Sequence, residues 1–204
     1  MELGPEFFKL LKSRQWDRKR APINFGAPGL SIGQIASIEA ELGFRVPNDF
    51  AYLFRNLQDP GGLLFPWFNF DKRAYDESIE WVFRGLALGI ERNYLWLKRW
   101  GNRPETNSAA LDVARKDFET WPRLLPIFAH RFLVAEPCCD GNPVLSIMGA
   151  DIIYYGADLP HYLLNEFVEQ DYALHVNAQT IRRMEVWSDF AEGEIAVRIP
   201  RPSA

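Results

Sequence analysis

Residues that usually carry recognisable chemistry are sparse in this sequence. The chain has two cysteines, Cys138 and Cys139, and because they are adjacent a bridge between them would be strained. No disulfide framework is therefore expected, which is typical of proteins from a reducing compartment. Residues 1–11 are interrupted by charged residues, glycine and proline, so they do not resemble a secretory signal. Together these observations predict a cytoplasmic location.

Long hydrophobic runs and a strong charge of either sign are also missing. No apolar run approaches the roughly 20 residues that a membrane-spanning helix needs. The formal net charge is -4, which does not suit a general binder of nucleic acid or of anionic membranes. We therefore expect neither nucleic acid nor a membrane as a partner.

Motifs for metal binding, nucleophilic catalysis and phosphate binding are absent as well. The sequence has no C-x-x-C, H-E-x-x-H or G-x-S-x-G motif and no phosphate-binding loop with its lysine. The histidines are His130, His161 and His175. We expect no cofactor, no metal ion and no enzymatic activity. One enzymatic alternative stays open, a small hydrolytic or metal-dependent site built from His130, Cys138, Cys139 and His161.

Aromatic residues, by contrast, are abundant, with fifteen Phe and seven Trp, so the chain can form a sizeable core. A length of 204 residues favours one domain. We divide it into a helix and connector at 1–30, a main domain at 31–170 and an extension at 171–204 packed on the same domain. Apolar residues among basic ones predict an amphipathic helix at about 6–19.

The clearest local signals lie in residues 31–62, which predict two short helices. Ser31 and Gln34 have the spacing of a capping box, and Gly43 suits a left-handed helix end. Pro47 suits the start of the second helix. The expected apolar faces are formed by Ile32, Ile35, Ala36, Ile38 and Leu42 on the first helix, and by Phe50, Leu53, Phe54 and Leu57 on the second.

The aromatic segment at 63–70 is interrupted by Pro66 and predicts a strand or an extended edge segment. Trp67 within it has two interpretations, a surface anchor for a partner or a core residue. A ligand-sensing alternative would place several rings around one pocket, namely Trp67, Phe68, Trp96 and Trp100.

Residues 76–100 allow two assignments. The first is a helix interrupted by Gly85 and Gly89, and the second is a strand that gives way to a helix near residue 90. The periodicity does not decide between them. A further helix is predicted at 108–121, where Leu111, Ala114 and Phe118 recur at helical spacing.

Residues 124–155 predict an antiparallel sheet. Its strands are expected at 124–136, 143–148 and 152–155, with an irregularity at Ala129 and His130 in the first. Asp158 then caps a helix. Beyond residue 170 we expect one helix at about 180–190 and a strand at 195–199.

Acidic residues near the turns of this sheet are candidates for partner binding. If they face the same way they form an acidic rim that suits a basic protein, and if not they are separate solvated loops. With Trp67, the candidate partner-binding residues are Glu136, Asp140, Asp151 and Asp158.

Strand alternation places His130 and Arg131 on opposite faces, so one of them points toward the covered side. A buried Arg131 needs a carboxylate or carbonyl partner, and Asp151 is the candidate.

The run ELGFRVPNDFAYLFRNLQDPGG at 41–62 resembles the N-terminal signature of the SMI1/KNR4 (SUKH) superfamily. The later runs LLPIFAHRF and GNPVLSIMGADIIYYGADLPHYLLNEF resemble the central strands and closing helix of that family. The resemblance covers roughly residues 31–168. The tryptophan-rich segment at 76–121 and the tail beyond 170 depart from it.

The resemblance implies an α+β fold, SMI1/KNR4-like, with a mainly antiparallel sheet and helices on one face and around its edges. It also implies a bacterial immunity protein that neutralises a cognate toxin, often a nuclease, by direct binding. The expected partner is therefore a protein such as a basic toxin domain. The alternative function is a regulatory scaffold, as in fungal relatives, or a ligand-sensing module. The family signature contains no catalytic residues.

Overall fold

The computed structural model of the chain describes residues 2–14, 23–168 and 180–193. The α-helices are α1 (Pro5–Arg14), α2 (Ile32–Leu42), α3 (Asn48–Arg55), α4 (Lys72–Glu91), α5 (Asn107–Phe118), α6 (Leu159–Phe167) and α7 (Trp187–Ala191). The strands are β1 (Asn24–Phe25), β2 (Leu57–Gln58), β3 (Leu124–Phe128), β4 (Arg131–Val134), β5 (Val144–Met148) and β6 (Asp151–Gly156). None of these helices has the length and apolar character that crossing a membrane requires.

A four-stranded antiparallel sheet, in the order β3-β4-β5-β6, forms the centre of the molecule. Strands β1 and β2 form a small separate sheet. The prediction of a single strand at 124–136 is wrong, because a turn at Ala129 and His130 divides this segment into the hairpin β3–β4. Ala129 has a φ of 48°, which is the left-handed conformation that tight turns require. The strand predicted at 195–199 lies outside the described residues.

Helices cover both faces of this sheet. On β4, Leu133 packs into one hydrophobic cluster with α1, α2, α3 and α6, whereas its neighbour Phe132 packs into a second cluster with α4, α5 and α7. Successive strand residues point to opposite faces, so a sheet buried on both sides needs apolar residues at nearly every position. The α+β class is confirmed. The expectation that helices cover one face of the sheet is corrected, because they cover both faces.

The helix pair α2–α3 has the predicted ends. Gln34 N donates to Ser31 Oγ at 3.2 Å, and Ser31 N donates to Gln34 Oε1 at 2.9 Å, which closes the capping box. Gly43 ends α2 with a φ of 77°. Helix α3 ends at Arg55, before the Asp-Pro-Gly-Gly stop, and Leu57 belongs to β2. Ile32 and Ala36, which are predicted on the apolar face of α2, are both exposed, Ile32 to 67%.

Helix α4 runs without a break through Gly85 and Gly89. Both assignments made from the sequence are therefore wrong in part: the segment is helical, and the glycines do not interrupt it. A Cβ built on Gly85 would lie 2.7 Å from Gly149 Cα in the β5–β6 turn. Glycine at this position lets the helix backbone approach the sheet closely, which is a packing role that periodicity does not reveal.

The aromatic segment at 63–70 forms one turn of 3-10 helix, Trp67–Asn69, and no strand. Trp67 is 1% exposed, and its Nε1 donates to the carbonyl oxygen of Pro126 on β3 at 2.8 Å. The ring therefore belongs to the core, which corrects its assignment as a partner-binding residue. Trp96 is also buried, but in the other hydrophobic cluster, across the sheet from Trp67. The four-ring ligand pocket is thus not formed.

Arg131 points to the α6 side of the sheet, and its partner is not Asp151. Its Nε lies 3.2 Å from Glu166 Oε2, its Nη1 donates to Ser146 Oγ at 2.9 Å, and its guanidinium stacks 3.7 Å from the centre of the Tyr155 ring. Burial raises the pKa of Glu166, and Arg131 opposes that rise. The structural ion pair expected for a buried arginine is present, with a helix supplying the carboxylate.

The close contact between Gly85 and Gly149 predicts a stability difference between two helical glycines. Alanine has a higher helix propensity at both Gly85 and Gly33, but an added methyl at Gly33 meets nothing nearer than Ser31 Oγ at 3.9 Å. We expect Gly85→Ala to lower the free energy of unfolding by about 1–3 kcal/mol through overpacking. Gly33→Ala should leave it unchanged or raise it slightly. Chemical denaturation of both variants measures this, and equal effects would contradict the role assigned to Gly85.

Candidate functional site

An open groove of about 670 Å³ lies at the end of the sheet where the β4–β5 loop meets the start of α3 and of α6. We call it the acidic groove. It is lined by Glu2, Leu3, Asn48, Asp49, Ala51, Tyr52, Arg55, Asp140, Gly141, Asp158 and Pro160.

Asp49 and Asp140 connect α3 to the β4–β5 loop through reciprocal hydrogen bonds. Asp49 N donates to Asp140 Oδ1 at 3.0 Å, and Gly141 N donates to Asp49 Oδ2 at 3.1 Å. The other carboxylate oxygen of Asp49 accepts from Phe50 N at 2.8 Å. Both carboxylates are thereby held in place on one wall of the groove by partners far apart in the sequence.

Asp158 also lines the groove, and it caps α6. Its Oδ1 accepts from His161 N at 2.8 Å, and the same oxygen lies 2.6 Å from His161 Nδ1. The capping role predicted for Asp158 is confirmed. A carboxylate at this position also interacts favourably with the helix dipole.

The β4–β5 loop is held by a buried amide and an arginine. Asn142 is fully buried, and its Nδ2 donates to the carbonyl oxygens of Val134 and Pro137 at 2.9 and 2.8 Å. Arg182 Nη1 donates to Asn142 Oδ1 at 2.7 Å and to the carbonyl oxygen of Asp140 at 2.8 Å. Residues from β4, the loop and the C-terminal region therefore fix the position of Asp140.

Negative charge dominates the lining. Four carboxylates (Glu2, Asp49, Asp140 and Asp158) face a single cationic residue, Arg55, among the described residues of the groove. Desolvation by burial raises the pKa of Asp49 from its ordinary value of 3.8 to about 6, and the nearby charges of Asp140 and Asp158 add to the rise. At neutral pH the groove therefore presents several negative charges that repel one another and attract a cation.

The structure brings together only part of the predicted acidic rim. Asp140 and Asp158 both line the groove. Glu136 lies on the same loop as Asp140, but it pairs with Arg123 at 2.8 Å and is outside the lining. Asp151 begins β6 at the opposite end of the sheet, because the antiparallel strands place the β5–β6 turn far from the β4–β5 loop. The prediction that all four acids form one rim is therefore wrong.

The residues of the enzymatic alternative are also separated. His130 lies in the β3–β4 turn, at the sheet end opposite the β4–β5 loop that carries Cys138 and Cys139. His161 is bound to Asp158, and His175 lies outside the described residues. Within residues 2–14, 23–168 and 180–193, no three His, Cys, Asp or Glu side chains are grouped to hold a metal ion. The predicted site around these histidines and cysteines is therefore not assembled.

Three charged residues of the groove are not among the predicted partner-binding residues: Glu2, Asp49 and Arg55. Asp49 follows Pro47 at the start of a helix, so its local sequence indicates an ordinary first-turn acid. Its contacts with Asp140 and Gly141 span about ninety residues of sequence, with separations of 91 and 92. No local pattern signals such a contact.

The raised pKa of Asp49 predicts a pH-dependent stability. The folded protein binds a proton at Asp49 more tightly than the unfolded chain does, so stability is greater at low pH and falls as pH rises from 3.8 to about 6. Relative to Asp49→Asn, we expect the wild type to lose about 2 kcal/mol across this window, after allowance for solvent screening. Denaturation at a series of pH values measures the difference. The exposed Asp112→Asn is the control and should keep the wild-type profile, whereas an unchanged profile in Asp49→Asn would contradict the assignment.

Comparison of the chain with protein-family models, with curated proteins and with solved structures gives no match. The resemblance to SMI1/KNR4 proteins therefore remains one of sequence features.

Proposed function

We propose that this protein is a non-enzymatic protein-binding module of the immunity-protein type, which neutralises a cognate toxin by binding a basic part of it in the acidic groove. The observation that carries the proposal is the convergence of Glu2, Asp49, Asp140 and Asp158 on one groove. The resemblance of residues 31–168 to SMI1/KNR4 proteins supports the same function.

The walls of the groove favour a protein partner. Asp49, Asp140 and Asp158 are fixed to α3, the β4–β5 loop and α6 by hydrogen bonds to the backbone, so the charges are positioned before a partner arrives. Apolar surface from Leu3 and Tyr52 lies beside them. A lysine or arginine side chain needs both features, because its hydrocarbon stem packs on apolar surface while its charged head meets a carboxylate.

A toxin with an anionic substrate fits this surface. A nuclease binds the phosphates of nucleic acid with lysine and arginine residues, so the surface around its active site is basic. A groove with the opposite charge would attract that surface at a distance and cover it on contact. The mechanism would then be occlusion, in which the immunity protein blocks access of the substrate without chemistry of its own.

The arrangement of the carboxylates supports a binding role over a catalytic one. Asp158 accepts His161 N as the cap of α6, and Asp49 accepts backbone N–H donors from Phe50 and Gly141, so both carboxylates are held by the backbone. Neither is paired with a nucleophile in the part of the chain that the structure describes.

The test begins with the protein encoded by the neighbouring gene. We expect it to be toxic when expressed alone, to be neutralised by co-expression of this protein, and to bind it in isothermal titration. Asp140→Asn with Asp158→Asn removes two charges but keeps oxygen acceptors for Asp49 N and for the α6 cap. This double variant should bind about 10- to 100-fold more weakly, equivalent to about 1.4–2.8 kcal/mol, with a weaker dependence on salt.

The matched control is Asp112→Asn with Asp151→Asn, which changes the net charge equally. Both residues are exposed, and Asp151 lies at the other end of the sheet. This variant should bind and protect as the wild type does. A failure to rescue growth together with no measurable binding would count against the immunity function. Equal weakening by the two double variants would count against the groove as the binding site.

A further inference from the structure

A second cavity, of about 380 Å³, opens between α4, α5 and the beginning of β3. No residue lines both this cavity and the acidic groove. Its floor consists of the buried side chains of Trp121, Leu124 and Trp187. Half-buried rings of Phe44 and Phe118 form its walls. We call it the aromatic cavity.

The polar atoms of the floor are already satisfied within the protein. Trp121 Nε1 donates to Asp117 Oδ2 at 2.8 Å, and Trp187 Nε1 donates to the carbonyl oxygen of Pro122 at 2.7 Å. The hydroxyl of Tyr75, which also lines the cavity, donates to the carbonyl oxygen of Leu124 at 3.1 Å. The floor therefore offers no free hydrogen-bond donor from these groups, and the ring surface open to a ligand comes from the half-buried Phe44 and Phe118.

The cations at the mouth are paired with carboxylates. Arg115 forms a two-pronged ion pair with Glu80 at 2.6 and 2.7 Å, and it also stacks on the Phe83 ring. Arg123 is bound to Glu136 at 2.8 Å.

Lys72 at the same mouth is paired with Asp76. The exposed carboxylate of Glu119 adds a negative charge. An anionic ligand would therefore have to break an existing ion pair and approach Glu119, whereas an uncharged ligand meets neither cost.

We propose that the aromatic cavity binds an uncharged, planar aromatic small molecule. Its volume lies within the range of about 300–1,000 Å³ that is typical of small-molecule sites. The half-buried rings of Phe44 and Phe118 on the walls give such a molecule aromatic contacts. The compensated charges at the mouth select against an anionic version of the same ring system. This binding site is independent of the proposed function of the acidic groove.

The probe is N-phenyl-1-naphthylamine, an uncharged aromatic compound whose emission rises in an apolar environment. Its sulfonated analogue, 8-anilinonaphthalene-1-sulfonate, has the same rings and a negative charge. We expect saturable one-to-one binding of the uncharged probe to the full-length protein, and at least tenfold weaker binding of the sulfonate. Equal affinities of the two probes would overturn the charge selection on which the proposal rests.

Filling the cavity locates the binding. Ile79 lines the cavity from α4, so Ile79→Trp should weaken binding of the uncharged probe at least tenfold. Ile153→Trp is the matched control, because Ile153 is an exposed isoleucine on β6 outside the cavity. This variant should bind the uncharged probe with the affinity of the wild type. Leu42→Trp fills the cavity from α2 and decides the question if Ile79→Trp does not fold. Wild-type affinity in a folded filling variant would overturn the proposal. Tighter binding of a blocked Gly-Trp-Gly peptide than of the probe would also overturn the proposal. The cavity would then be a binding site for a side chain of a partner protein.

Discussion

Burial of the central sheet on both faces is the constraint on which the rest of this structure depends. An antiparallel sheet usually leaves one face to water, but here adjacent residues such as Phe132 and Leu133 enter different hydrophobic clusters. Almost every strand position must therefore be apolar, and a charged exception such as Arg131 needs a carboxylate from α6 and a ring to stack on. Polar and charged side chains therefore lie mainly at the strand ends and at the edges of the helices, and not on the sheet faces.

Both candidate sites lie at the margins of the sheet for that reason. The acidic groove lies where the β4–β5 loop, α3 and α6 meet at one sheet end, and the contacts of Asp49 with Asp140 and Gly141 hold its wall. The aromatic cavity lies where α4 and α5 meet the start of β3. The acidic groove is lined by four carboxylates and one arginine, whereas the aromatic cavity is lined by rings and its cations are paired with carboxylates. They are suited to different classes of ligand for that reason.

Agreement between sequence and structure is best where the signal is local. The Ser31–Gln34 capping box, the Gly43 helix end and the Asp158 cap involve residues within a few positions of each other, so the pattern contains the interaction itself. Predictions failed where the deciding partner is distant. Gly85 is typical of a helix breaker until Gly149 is placed against it. By contrast, the strand predicted at 124–136 failed for a local reason, because the left-handed residue of its turn is Ala129 and not a glycine. The predicted acidic rim grouped Asp151 with Asp158 because they are close in sequence. Strand β6 lies between them, so they are at opposite ends of the sheet.

The sequence by itself determined the α+β class, the paired helices α2 and α3, the turns that follow β4 and β5 and the cap of α6, because these depend on propensity and short-range hydrogen bonds. Only the tertiary structure decided that both sheet faces are covered, that Trp67 is core, and that Asp49 joins Asp140 and Asp158 in one groove. The physical reason is that burial and electrostatic interaction depend on distance in space. Residues about ninety positions apart, as Asp49 and Asp140 are, leave no periodic trace of that proximity in the sequence.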